Sequence, residues 1–218
     1  MDADYRTVLE TLKSLHGSTM LGHLGDDDPW QTLIATILSA RSRDETTEVV
    51  ARNLFRLFPD CKSLAGANVR RIEKLIKKTG FYKTKARRII QVSRILIERH
   101  NGQVPNDMDA LLALPGVGRK TASCVLVYAF GKAAIPVDTH VHRISNRLGW
   151  VKTKTPEQTE ESLRRLTDEK DWVVINDLLV FHGKNICKPV RPLCSICSIE
   201  PYCAKIIGHQ SGKVQKKR

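Results

Sequence analysis

The sequence predicts an all-α fold. Apolar residues recur at helical spacing along several segments, residues that favour helix N-caps stand where these segments begin, and no segment alternates convincingly as a strand would. The chain has 218 residues, enough for one domain or two small ones with a buried core. Hydrophobic residues make up 41% of it and charged residues 27%, as in ordinary globular proteins.

Two early segments carry clear amphipathic stripes. The first stripe is Trp30, Leu33, Ile34, Ile37 and Leu38, and the second is Ala86, Ile89, Ile90, Ser93 and Ile97. Asp28 suits the N-cap of the first helix and Pro29 its first turn. Gly102 and Pro105 close the second helix.

Two helices are predicted nearer the end of the chain. Thr155-Pro156-Glu157-Gln158 has the pattern of a capping box with proline at the first helical position. Trp172 to His182 is apolar and long enough for a buried helix, which Gly183 is expected to end.

The charge pattern favours a polyanionic partner. The net charge is +13, although residues 1–40 hold six acidic and only two basic residues. Between Arg70 and Arg88 there are nine basic residues and a single acid. Such a density is typical of a nucleic-acid-binding surface, with a merely soluble basic protein as the alternative. No apolar run is long enough for a membrane helix, and no targeting segment is recognisable.

The stretch LALPGVGRKTA, residues 112–122, predicts a helical hairpin. A short helix from Asp107 to Leu114 is followed by the turn Pro115–Gly118, and a second helix starts near Arg119. The first N–H groups of the second helix then point outward from this glycine-lined turn, so Gly116, Val117, Gly118 and Arg119 are candidates for holding a DNA phosphate without reading sequence. The alternative is a plain turn with glycine at the C-cap.

Lys120 and Asp138 are the candidate catalytic pair. Lys120 falls in the first turn of the second helix, where the positive end of the helix dipole favours the uncharged, nucleophilic amine. Its alternative role is a solvated or phosphate-contacting lysine. Asp138 precedes another helical segment, so a simple N-cap is its alternative. A helix of about ten residues and a short return would place both groups at one cleft.

Four cysteines near the end have the spacing C-x6-C-x2-C-x5-C: they are Cys187, Cys194, Cys197 and Cys203. Four thiolates so close together can hold zinc or an iron–sulfur cluster, and the compact spacing favours a [4Fe–4S] cluster. Lys188 and Arg191 lie within the first interval, where a loop fixed by the metal would press them onto a phosphate backbone. Cys61 and Cys124 stand alone and are expected to be core residues.

Together these motifs identify the chain as similar to the endonuclease III family over residues 20–207. The resemblance is carried by LPGVGRKTA, by VDTHVHR from Val137 to Arg143, by GFYKTKA from Gly80 to Ala86 and by the cysteine pattern. It implies two all-α domains with a DNA cleft between them. Residues 21–132 would form a six-helix barrel with the helix-hairpin-helix, and residues 1–20 with 133–218 the [4Fe–4S] cluster domain.

The resemblance also implies a reaction and its residues. Lys120 would be the nucleophile and Asp138 the catalytic carboxylate of a bifunctional DNA glycosylase and AP lyase, which removes oxidised pyrimidines and cuts the strand through a Schiff base. His140 of the VDTHVHR motif would contact DNA. Arg41, where bacterial members usually carry glutamine, would fill the space left by the everted nucleotide. Phe81 would insert into the other strand, with a core aromatic as its alternative.

Two other functions fit part of the pattern. A mismatch-specific thymine or uracil glycosylase on the same scaffold would not need Lys120. A non-catalytic, structure-specific DNA-binding module with a zinc tail would need neither Lys120 nor Asp138. For the bifunctional glycosylase and lyase, the expected partner is double-stranded DNA with a damaged base or an abasic site. The expected state is a monomer in the cytoplasm of a prokaryote, associated with the nucleoid and with no membrane contact.

Overall fold

A computed structural model describes residues 4–15 and 28–206. Every regular element in that part of the chain is a helix and no strand occurs, which confirms the all-α prediction. The expected domain boundary at residues 20 and 21, and the tail after residue 206, lie outside the described residues. No described helix combines the length and apolar character needed to cross a bilayer.

The α-helices follow one another with short connections. In chain order they are α1 (Tyr5–Lys13), α2 (Pro29–Ser39), α3 (Asp44–Leu57), α4 (Cys61–Ala65), α5 (Val69–Leu75), α6 (Tyr82–His100), α7 (Met108–Leu112), α8 (Arg119–Phe130), α9 (Thr139–Leu148), α10 (Pro156–Leu166) and α11 (Trp172–Asn185). One 3-10 turn, Glu169–Asp171, directly precedes α11. Two more follow it, at Cys194–Ile196 and Glu200–Tyr202.

The predicted helix starts are mostly correct. Asp28 caps α2 by accepting a hydrogen bond from the backbone N–H of Trp30 at 2.9 Å. At α10 the side chain of Thr155 accepts from the N–H of Gln158, but the predicted capping box is wrong. The Gln158 side chain instead accepts from the N–H of Lys154, one residue before the cap.

The prediction that Gly183 ends its helix is also wrong, because α11 continues to Asn185. A Cβ at position 183 would stand 2.4 Å from Nδ1 of His140 on α9, closer than nonbonded atoms can approach. Gly183 therefore serves the close crossing of α9 and α11 rather than a helix end.

The described residues form two separate hydrophobic cores. The first runs from Trp30 to Leu126 and includes the predicted stripe of α2. The second combines Tyr5–Leu12 with Ile135–Ile199. Cys61 and Cys124 are buried, as predicted. We propose the division of residues 21–132 from 1–20 with 133–218, and these two cores support it.

Helix α1 is fastened to the second core by polar contacts as well as by its buried face. The Tyr5 hydroxyl donates to Asp171 at 3.3 Å and accepts from the backbone N–H of Asp168 at 3.0 Å. Arg6 forms an ion pair with the Asp168 carboxylate at 2.7 Å. The first described helix and the later part of the chain therefore form one packed unit.

Candidate active site and metal centre

Lys120 and Asp138 line the same groove, which has a volume of about 540 Å³. Both side chains are partly buried. The groove also includes Arg41 from the turn after α2, His140 from α9 and Lys184 from α11. Its volume lies within the range of roughly 300–1,000 Å³ typical of small-molecule pockets. The fold thus brings the two candidate catalytic side chains to one concave site.

Lys120 is placed by the start of α8. It occupies the second position of that helix, whose N-cap is Gly118. The Lys120 amine lies beside the thiol of Cys124, one turn later on the same helix. Burial raises the pKa of that thiol, and the charge and hydrogen bond of Lys120 oppose the shift.

Asp138 is the N-cap of α9. Its Oδ1 accepts hydrogen bonds from the backbone N–H groups of His140 at 2.8 Å and Val141 at 2.9 Å. Two such bonds hold the carboxylate in a fixed orientation at the groove. Because both cap bonds end on Oδ1, the cap does not occupy Oδ2. The capping role and a catalytic role are therefore compatible.

The hairpin between α7 and α8 has the geometry that its glycines predict. Gly116 adopts a φ of +79°, whereas Val117 is buried and anchors the turn. A Cβ added at Gly118 would meet nothing within 4 Å, so the N-terminus of α8 is open at this point. No side chain caps α8, which leaves its first N–H groups for an anion.

Arg88 of α6 lies across the hairpin. A Cβ at Gly116 would fall 2.5 Å from Cδ of Arg88 and 2.9 Å from its Nε, so a larger residue there would displace the Arg88 side chain. Arg88 is exposed, and no described carboxylate pairs with it. The packing places the exposed guanidinium of Arg88 against the hairpin turn at Gly116.

Arg119, the first residue of α8, is held by Glu160 of α10. Nε of Arg119 donates to one carboxylate oxygen of Glu160 at 2.7 Å and Nη2 to the other at 3.2 Å. The hydrogen bonds to Glu160 raise the pKa of Arg119. The side chain of Glu160 is 4% exposed, so the pair is anchored in the protein. Arg119 is therefore a fixed part of the hairpin.

The four cysteines of the C-terminal pattern line one small cavity, whose remaining wall includes the apolar side chains of Ile144, Leu148 and Ile199. Among the described residues, no three His, Cys, Asp or Glu side chains are grouped to hold a single metal ion. Burial raises the pKa of the Cys197 and Cys203 thiols. Four sulfur donors around an apolar cavity fit the chemistry of an iron–sulfur cluster.

Two arginines of α9 attach the cysteine loop. Arg147 donates to the sulfur of Cys187 at 3.3 Å and to the carbonyl oxygens of Lys188 and Pro189 at 2.7 and 2.8 Å. Arg143 donates to the carbonyl oxygen of Cys187 at 2.8 Å. These bonds fix the loop that carries Lys188 and Arg191, whose side chains are exposed.

Arg41 and Phe81 meet at the edge of the groove. The Cζ of Arg41 lies 5.2 Å from the centroid of the Phe81 ring. Both residues have left-handed backbone, with φ of 54° and 56°. Phe81 is 62% exposed, so its interpretation as a core aromatic is wrong.

A family model described as the HhH-GPD superfamily of base excision DNA repair proteins matches residues 34–169. Endonuclease III of Thermotoga maritima is 48% identical over 192 residues, covering 88% of this chain and 90% of the relative. Endonuclease III of Escherichia coli strain K12 is 39% identical over 180 residues, covering 83% of this chain and 85% of the relative. The chain belongs to the endonuclease III family.

Solved structures agree with membership of the endonuclease III family. A non-covalent complex of endonuclease III with DNA superposes with a TM-score of 0.86 at 33% identity, covering 94% of this chain and 96% of the other. A trapped covalent intermediate of endonuclease III with DNA gives 0.84 at 32% identity, with the same coverage. A thermostable thymine-DNA glycosylase gives 0.80 at 25% identity, covering 92% and 93%. This member of the endonuclease III family is an enzyme of base excision DNA repair.

Several residues at the site of this endonuclease III relative are not evident from its sequence. Lys184 and Ser42 line the groove but stand in no recognisable motif. Arg88 and Lys85 belong to the basic stretch, which singles out neither of them. The position of Lys85 does indicate that it is buried, because it lies four residues before Ile89 and so falls on the apolar face of α6.

Proposed function

We propose that this protein removes oxidised pyrimidines from double-stranded DNA and then cuts the strand by β-elimination. DNA glycosylase and AP lyase activities follow from its membership of the endonuclease III family. The observation that carries the proposal is the shared groove, in which the amine of Lys120 and the carboxylate of Asp138 line one cavity.

The reaction requires that the damaged nucleotide leave the base stack, since the sugar C1′ is otherwise inaccessible. The Lys120 amine then attacks C1′ and the base departs. The sugar ring then opens as the C1′–O4′ bond breaks and O4′ takes up a proton, which leaves a Schiff base between Lys120 and C1′. The Schiff base acidifies the 2′ proton, and removal of that proton expels the 3′ phosphate and breaks the strand. Asp138 stabilises positive charge on the sugar as the base leaves. It also favours protonated Lys120, whereas the N-terminus of α8 favours the free amine.

The hairpin and its neighbours supply the DNA contacts. The uncapped N–H groups at the start of α8 would hold a phosphate at the turn of Gly116, Val117 and Gly118, and Arg119 stands beside them. The N–H of Val117 is itself engaged, since it donates to the carbonyl oxygen of Leu114 at 3.1 Å. His140 lies in the groove, where burial lowers its pKa and so favours a neutral imidazole. A second patch is formed by exposed Lys188 and Arg191 on the cysteine loop.

Arg41 and Phe81 act on the duplex around the lesion. Phe81 is exposed on a tight turn, as an apolar wedge must be. The planar guanidinium of Arg41 can stack in the space that the everted nucleotide leaves. Their proximity would let both enter the duplex at the same lesion.

A [4Fe–4S] cluster is proposed at Cys187, Cys194, Cys197 and Cys203, supported by the sulfur donors around one apolar cavity. Its contribution would be structural, since it would fix the loop of Lys188 and Arg191 beside DNA. Measured iron and the visible absorbance of purified protein test the assignment, with Cys194→Ser expected to lose both. Bound zinc without iron would contradict it.

The remaining expectations concern partner and location. We propose that the protein acts as a monomer on duplex DNA with a damaged base or an abasic site, in the cytoplasm of a prokaryote and close to the nucleoid. The excess of positive charge supports this kind of partner.

Borohydride trapping tests the nucleophile. The protein is expected to form a covalent complex with duplexes that contain thymine glycol or an abasic site, because borohydride reduces a Schiff base. Lys120→Gln should abolish trapping and keep binding, whereas Lys184→Gln, another lysine of the groove, should still trap. Normal trapping and cleavage by Lys120→Gln would show that Lys120 is not the nucleophile.

A mismatch glycosylase is a second candidate, favoured by the structural similarity to a thymine-DNA glycosylase. Duplexes with thymine glycol, or with thymine or uracil opposite guanine, distinguish the two when base release and strand scission are scored separately. Release of mismatched thymine without scission would favour the second candidate.

A further inference from the structure

Lys85 is a lysine at the start of α6 that is buried instead of solvated. Its residue is 4% exposed, and burial lowers its pKa to about 8. Its Nζ donates to the carbonyl oxygen of Leu38 at 2.6 Å and to the hydroxyl of Ser42 at 2.9 Å. Leu38 lies in the last turn of α2, and Ser42 lies in the turn that follows, which carries Arg41. The ammonium therefore holds a turn that is distant in sequence.

The same hydroxyl reaches the turn before α6. Oγ of Ser42 also accepts a hydrogen bond from the backbone N–H of Gly80 at 3.0 Å. A Cβ at Gly80 would stand 2.5 Å from the carbonyl oxygen of Arg41, so the two turns touch through backbone. Lys85, Ser42 and Gly80 form a continuous connection between the two turns.

Each turn displays one residue in a conformation that L side chains rarely adopt. Arg41 and Phe81 have positive φ, and the guanidinium of Arg41 lies over the Phe81 ring. Left-handed backbone in such residues persists only where the surroundings impose it. The hydrogen bonds from Lys85 and through Ser42 join the two turns next to these residues.

We infer that Lys85 is a positioning residue that fixes the Arg41 turn and the Phe81 turn as one preformed unit for entry into the duplex. The inference rests on the proposed function, because it takes Arg41 and Phe81 as the residues that enter the DNA. A unit ordered in advance loses less conformational freedom when it inserts. Lys85 therefore assists extrusion of a paired base and not the chemistry at Lys120.

This division of labour can be measured with two substrates. Lys85→Met keeps the length of the side chain but removes its donors. Single-turnover base removal from duplex thymine glycol should slow by about tenfold. Trapping on a duplex with an abasic site, where no base must be unpaired, should stay within about twofold of the unsubstituted protein.

The controls separate positioning from folding. Arg99→Met alters an exposed cation of the same helix, outside the basic stretch from Arg70 to Arg88, and should change neither reaction. Ser42→Ala removes the shared acceptor while retaining Lys85; it should reproduce the selective loss, and it replaces Lys85→Met if that variant does not fold. Combined with Arg41→Ala, Lys85→Met should add little further loss, because both act on one step.

Equal loss on the two substrates, or no loss on either, would overturn the role of Lys85. Failure of the unsubstituted protein to trap on abasic DNA would instead contradict the proposed function. The two failures are therefore distinguishable in one set of measurements.

Discussion

Arg119 and Glu160 form a two-point ion pair, with the Nε and Nη2 atoms of Arg119 donating to the two carboxylate oxygens of Glu160 at 2.7 and 3.2 Å. The pair joins α8 to α10 directly beside Lys120. It fixes the first turn of the helix on which the proposed nucleophile stands, but it also places a carboxylate close to the proposed phosphate site.

Glu160→Gln should therefore have opposite effects on stability and on DNA binding. Loss of the charged hydrogen bonds is expected to lower the free energy of unfolding by about 1–3 kcal/mol. Binding to undamaged duplex should tighten, because a negative charge near the phosphates disappears. Urea unfolding and fluorescence anisotropy measure the two effects. Glu161→Gln, at an exposed pair with Arg165, should change stability little; weaker binding by Glu160→Gln would refute the electrostatic argument.

Asp138→Asn separates the capping role of this residue from its catalytic role. Asparagine is as good an N-cap as aspartate, so α9 and the unfolding free energy should change little. Base release should fall by roughly 10²–10³-fold, the usual loss when a group that stabilises developing charge is removed. Single-turnover kinetics and urea unfolding provide the comparison. Near-normal turnover would reduce Asp138 to a helix cap.

Arg88→Ala should weaken binding to all duplexes alike, because a guanidinium beside the hairpin can contact phosphate but not a base. The slope of log K against log salt should become shallower by about 0.9, since the variant neutralises one phosphate fewer. Arg99→Ala, an exposed arginine further along α6, is the matched control. An unchanged slope would place Arg88 outside the interface.

The lowered pKa of Lys85 predicts a pH dependence of stability. Its pKa is about 8 in the folded protein against an ordinary value of 10.5, so between these values the unfolded chain binds more protons than the folded one. Stability contributed by this group therefore rises as pH rises from about 8 to 10.5. The difference in unfolding free energy between the unsubstituted protein and Lys85→Met should grow in favour of the former across this window. A flat difference would contradict the burial effect.

Gly183→Ala should destabilise the contact between α9 and α11. The added Cβ would meet His140, and overpacking of this kind costs roughly 1–3 kcal/mol. Alanine favours helix over glycine by up to about 1 kcal/mol, so any net loss reports the clash. Base release should fall too, since Asp138 begins the displaced helix. Asn185→Ala in the same helix serves as the control, and a thermal unfolding series without loss would argue against the tight crossing.

Features set by local sequence can be predicted well. The caps at Asp28 and Asp138 and the start of α8 at Arg119 depend on the chain within a few residues, so composition and spacing reveal them. The juxtaposition of Lys120 and Asp138 follows from a single helix with a short return, which is also a nearly local relationship.

Features set by distant neighbours cannot be predicted in this way. The prediction of a helix end at Gly183 fails because the reason for this glycine, His140, lies on another helix. Lys85 hydrogen-bonds to Leu38, 47 positions away, and Arg119 pairs with Glu160 at a separation of 41. No periodicity carries such information, because these contacts exist only after the helices have packed.

The second core combines α1 with helices from the later part of the chain, so it can be completed only late in synthesis. A ribosome makes α1 early, yet Asp171, which bonds to Tyr5, comes 166 residues afterwards. Trp30 to Leu126 form one uninterrupted stretch that can collapse while translation continues. Until those later residues have been made, the apolar face of α1 has no partner in the second core.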